Sequence, residues 1–302
     1  MNTLPHPNNR WSAEPAAFTL VDLLATIAVI LLLASVIAPA FAKTNSWGKT
    51  VQCMNNKRRL MAAVLMYSRD NSDLLPPDPD DGNIVPGHDW CAGSLAQEFD
   101  SDILADPHLC LVAPYLGGDV QVFRCPADTR VGAYQGPAPA KRGTTVPAAR
   151  TVSMNGAVGT VCHVFDLRGY GHSGAPTYPV NGPWLDGNHD NKSGHPWLTY
   201  RKTSDMLIPT PAQLFVVLDE NPLMIDDASF AFSMSQPKWV NFPGIAHDFG
   251  CTFGFGDSHA ELHNWVDPRT KVLQMAGFIA VPGSPDWLWL SHHASAKAQG
   301  PR

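Results

Sequence analysis

Residues 18–42 read FTLVDLLATIAVILLLASVIAPAFA, a run of 25 residues in which Asp22 is the only charge. As a helix this run spans roughly 37 Å, against about 30 Å for the hydrocarbon core of a bilayer. A cleavable secretory signal has an apolar core of only about 7–15 residues, so the run predicts a membrane-spanning helix that stays on the protein. A carboxylate inside such a helix costs about 2.5–3.5 kcal/mol and asks for a partner. Asp22 therefore either snorkels to an interface or meets a positive charge; the second is the functional reading.

The stretch Ala17-Phe18-Thr19-Leu20-Val21-Asp22-Leu23-Leu24 resembles the processing site of type IV prepilins and type II secretion pseudopilins. The resemblance implies a prepilin peptidase that cuts between Ala17 and Phe18 and methylates the new amine. It also implies that Asp22, the fifth mature residue, pairs with the N-terminus of an adjacent subunit during assembly. Pro39 falls at the twenty-second mature position, where such helices commonly carry a proline that kinks them. Ala17 stands where the family prefers Gly, and Asp22 where Glu is usual. Arg10 is offset by Glu14, and Lys43, Lys49 and Lys57 lie on the other side of the run, so orientation follows from the resemblance alone.

After residue 42 the helical pattern resumes. Cys53, Leu60, Val64 and Tyr67 form one stripe, and Asn71-Ser72-Asp73 followed by Pro76-Pro77 ends it. The triplet Lys57-Arg58-Arg59 reads as a solvated face. With 24 Gly and 27 Pro, the remainder reads as a loop-rich domain with short strands. Residues 120–123 are a brief apolar run, 136–149 a Pro/Ala/Gly linker, and 168–197 one long surface excursion. Residues 214–218 predict a buried strand, and 251–265 a hairpin. A two-residue turn at Asp257-Ser258 would pair Gly256 with His259 and Phe253 with Leu262. That register puts Phe253, Phe255, Ala260 and Leu262 on an apolar face and His259, Glu261 and His263 on the opposite one. Ser258 would carry strain at a position needing φ > 0.

The prediction is one α+β chain: leader 1–17, transmembrane helix 18–42, extracytoplasmic helix 43–75, and a soluble domain 76–302. In it a long N-terminal helix packs on a mostly antiparallel sheet with long loops. The family resemblance extends through this region. His247 to Asp257 is similar to a His-x9-Asp-Gly C-terminal tag, with Ser258 in place of the Gly. Gln52-Cys53-Met54-Asn55-Asn56, Phe123-Arg124-Cys125-Pro126-Ala127-Asp128, Ser153-Met154-Asn155-Gly156 and Leu218-Asp219-Glu220 resemble segments of the same group.

A net charge of −6 with no basic stripe excludes a nucleic-acid binder. Gly171-His172-Ser173-Gly174-Ala175 misses the G-x-S-x-G nucleophile elbow at its last position, and no zinc-protease, P-loop or dinucleotide motif occurs, so no enzyme is expected. The six Cys contain no C-x-x-C pair; a Cys53–Cys125 bridge would staple helix to domain, and buried free thiols are the other reading. No cofactor is required by any motif. Asp219, Glu220, Asp226 and Asp227 supply oxygen ligands that suit calcium, and His259, Glu261 and His263 suit a transition metal.

The function these features imply is a structural subunit of a pilus-like or secretion-linked filament. Its partners would be the peptidase, other pilin-like subunits and inner-membrane lipid. Its place would be the bacterial inner membrane, single-pass, with the domain outside the cytoplasm. The alternative is a membrane-anchored surface domain that binds an extracellular ligand without polymerising.

Overall fold

The computed structural model describes residues 20–80, 82, 84–159, 182, 184–188, 196–273 and 277–298; over 34–45 it describes the backbone alone. The cut site at Ala17 and Phe18, the near-miss elbow at 171–175 and most of the 168–197 excursion lie outside the described residues. The chain divides into two compact units, Met1–Asn45 and Ser46–Arg302. Helix α1, Leu20–Asp70, contributes to both.

In the first unit the expected membrane-spanning helix is not borne out. Among the described residues, no helix is long and apolar enough to cross a membrane.

In the second unit α1 is amphipathic in the ordinary way. Cys53, Asn56, Lys57, Leu60, Met61, Val64 and Ser68 are buried, at i, i+3, i+4, i+7, i+8, i+11 and i+15. This face lies on a five-stranded sheet made of β3 (Val152–Asn155), β4 (Phe215–Asp219), β5 (Ser229–Phe230), β7 (Gly250–Phe255) and β8 (Ala260–Asn264). The order is β5-β3-β4-β7-β8. The sheet is mixed: β5 joins β3 in parallel, and the other three pairings are antiparallel. Central β4 is buried on both faces, as its unbroken apolar run FVVL requires. Helix and sheet approach closely at Gly254, where a Cβ would sit 2.9 Å from Met61 Cγ and Val217 Cγ2. Helix α2, Pro285–Ala294, covers the opposite face; Ser284 caps it and Pro285 opens it. Asn155 Nδ2 ties that face to α2 through the Ala294 carbonyl at 2.8 Å.

Two small sheets lie outside this layer. β1 (Val131–Ala133) pairs with β2 (Thr145–Pro147), so the expected linker at 136–149 contains a strand. β6 (Lys238–Trp239) pairs with β9 (Ile279–Ala280). The run Val120–Phe123 is a 3-10 turn rather than a strand. The hairpin at 251–265 forms, but one residue out of the expected register. Gly254 faces Ala260 and Phe253 faces Glu261, because the loop holds three residues with Ser258 at φ +75°.

Candidate metal centre

Two successive turns of α1 present Thr50, Cys53 and Lys57 toward the end of β4, where Asp219 sits. Lys57 is fully buried, and its Nζ lies 2.7 Å from Asp219 Oδ1. The Asp219 carboxylate is saturated with donors. Thr151 Oγ1 reaches Oδ1 at 2.7 Å, Thr252 Oγ1 reaches Oδ2 at 2.6 Å, and the Cys53 thiol reaches Oδ2 at 3.0 Å. Burial by itself pushes the Asp219 carboxyl up. The Lys57 charge and the hydrogen bonds from Lys57, Thr252 and Cys53 outweigh it and hold the group below its usual range. Burial works in the same sense against the Lys57 ammonium, and the Asp219 charge again prevails, leaving Lys57 raised. A pair of this kind is costly to desolvate but costlier to break.

Cys125 enters from the turn after Val120–Phe123, fixed by its backbone N–H on Thr151 Oγ1 at 2.8 Å. Its Sγ is 3.2 Å from His247 Nε2. His247 begins a tight turn, 247–250, in which Asp248 and Phe249 both have positive φ, 55° and 59°. Strain at Phe249, a bulky residue there, is stored where the histidine must be aimed. The hydroxyl of Thr50 donates to the Ser46 carbonyl, 3.1 Å away, so its oxygen accepts from His247 Nδ1 at 3.0 Å. This assigns the proton to Nδ1 and leaves the Nε2 lone pair facing Cys125. Cys53, Cys125, Asp219 and His247, all buried, each offer one ligand atom within 4.8 Å of the others. The Cys53 thiol is raised well above its ordinary value by its hydrogen bond with Cys125, by burial and by the Asp219 charge. Both thiols are free, as is Cys251, so Cys53 and Cys125 meet without a bridge.

No family model, curated protein or solved structure matches this chain.

The sequence-predicted candidates therefore separate. Asp219 joins the thiols, while Glu220 turns away to Ser153 Oγ and Asn241 Nδ2, each at 2.5 Å. Asp227 is buried with its Oδ1 accepting from the Ser229 N–H, and Asp226 is exposed. His259, Glu261 and His263 form no such group among the described residues. The register shift puts them on the face of Phe253 and Phe255, where His259 stacks on Phe255 at 4.4 Å and His263 on Trp289 at 3.7 Å. His259 Nδ1 bonds Asp257 Oδ1 at 2.6 Å. His247 and Asp257 occupy turns at opposite ends of β7, so the His-x9-Asp spacing measures one strand and not one site. The residue that sequence reasoning missed is Lys57, read as solvated and found in the interior. Four of the quoted motif segments each carry one member of the cluster: Cys53, Cys125, Asp219 and His247.

Proposed function

We propose that this chain is a structural subunit which assembles with copies of itself through its N-terminal apolar helix, as pilin-like proteins do. The observation that carries the reading is the surface of α1 in the first unit. Leu20, Val21, Leu23, Leu24, Ile27, Val29, Ile30, Leu31, Leu32 and Leu33 are 44–72% exposed. At about 100° per residue they surround the helix and leave no polar side. A helix apolar all round works when it is enclosed, and several like helices packed side by side enclose it. A two-stranded coiled coil would need only a narrow stripe. Asp22 is the one charge in this surface, placed to fix the register of neighbours in a medium of low dielectric.

Light scattering on the full chain in mild detergent tests the proposal. The parent forms multimers, and a Leu24→Lys/Ile27→Lys/Ile30→Lys variant falls to monomers with an unchanged domain signal in near-UV circular dichroism. Asp22→Ala lowers in-cell crosslinking between copies severalfold. A monomeric parent, or multimers that survive the three lysines, ends the reading.

A further inference from the structure

We infer that Cys53, Cys125, Asp219 and His247 bind one divalent transition-metal ion, zinc by ligand chemistry, that clamps the domain half of α1 to the sheet. The inference is independent of the filament reading.

The donor set is two sulfurs, one imidazole nitrogen and one carboxylate oxygen, the mixture that suits tetrahedral zinc. Bonds of about 2.0–2.3 Å to a central ion put neighbouring tetrahedral ligands about 3.3–3.8 Å apart. The closest pairs here, Cys53 Sγ to Asp219 Oδ2 at 3.0 Å and Cys125 Sγ to His247 Nε2 at 3.2 Å, are hydrogen bonds whose proton an ion would replace. Small side-chain rotations open each pair to the tetrahedral spacing.

The surrounding groups are those such a centre requires. His247 Nδ1 is anchored on Thr50, which fixes the ring and directs Nε2 inward. Asp219 Oδ1 is held by Lys57 and Thr151, and Oδ2, which accepts from Thr252 at 2.6 Å, turns its remaining lone pair toward Cys53 as the ligand oxygen. Lys57 also lies 4.0 Å from Cys53 Sγ. Charge balances both ways. With neutral thiols, the Lys57 and Asp219 charges cancel. With the ion bound, two thiolates and Asp219 give −3, and the metal with Lys57 gives +3. An interior that tolerates no net charge thus exchanges two protons for one dication. Four protein ligands and no open position make the centre structural rather than catalytic.

The test uses the full chain, purified reduced and without an affinity tag. Elemental analysis should find about one zinc per chain. Zinc X-ray absorption on the unmutated protein should resolve two sulfurs at about 2.3 Å and two lighter ligands at about 2.0–2.1 Å. Cobalt(II) should give tetrahedral visible bands with sulfur-to-cobalt charge transfer, which falls to about half in Cys125→Ser as one thiolate of two is lost. Near-UV circular dichroism reports whether that variant keeps its fold; if it does not, the absorption data on the parent decide alone. A reduced chain that takes up no metal, an ion bound by nitrogen and oxygen only, or a Cys53–Cys125 disulfide in protein from cells would overturn the inference.

Discussion

Two of the polar clusters buried among the described residues solve opposite problems. Around Asp219 a carboxylate is matched by an ammonium, two threonine hydroxyls and a thiol, and every partner is in hydrogen-bond range. Around Asp78 carboxylate faces carboxylate. Both Asp78 oxygens are buried with no hydrogen-bond partner among the described residues. Burial, then the charges of Asp89 and Asp80, push its carboxyl well up, against weaker stabilisation from Ser229 and Trp90. Asp227 is raised likewise by burial and by Asp80, Asp226 and Glu220. The contrast teaches that buried charge stabilises a fold when compensated within the same few ångströms; otherwise it links the fold to protons.

The largest expected effect is on the compensated side. Lys57→Met leaves Asp219 buried and unmatched and should cost roughly 3–5 kcal/mol in urea unfolding. Lys57→Met/Asp219→Leu should recover part of that loss. A single-variant cost below about 1 kcal/mol would show that the pair does not hold the helix to the sheet.

The acid cluster predicts a pH dependence of definite sign. Asp78 and Asp227 have folded values above the ordinary 3.8, so the folded state binds more protons than the unfolded one. Their contribution is fully present below about pH 4 and is lost as pH rises through the raised folded values, at up to about 1.4 kcal/mol per pH unit for each group. Asp78→Asn should therefore match the parent near pH 4 and gain on it steadily above. Melting curves from pH 4 to 9 check this; parallel curves would mean that Asp78 is not titrating in the interior.

The smallest effect calibrates both. Ser258→Gly relieves a left-handed backbone at φ +75°, far from either cluster, and should add about 1 kcal/mol or less, independent of pH. A loss of stability would refute the assignment of the turn.

Much of the layer structure was legible. The stripe through Cys53, Leu60 and Val64 is buried, and the apolar run at 214–218 is the central strand. The hairpin was legible as a hairpin, but its register was not. A three-residue loop shifts every pair by one, and that shift moved His263 onto the tryptophan face. Parallel β5 is two residues long and carries no period of its own. The membrane-spanning reading rested on the whole run 18–42 and was not borne out over the described residues. At the centre, Cys53, Cys125, Asp219 and His247 all stood out within separate short segments. No local spacing joins them, because ligand spacing rules describe loops of a few residues. Lys57 was illegible for the same reason: its partner lies 162 residues away.

That separation has a consequence for how the protein comes into being. Thr50 and His247 are 197 residues apart, and Cys53 and Asp219 166. Synthesis at about 5–20 residues per second puts about 10–40 s between Thr50 and its partner His247. The Thr50–His247 contact forms only after His247 is made, with β7, β8 and α2 still to follow. A truncated chain that stops short of it keeps the N-terminal helix but leaves Thr50 and Cys125 without their His247 partner.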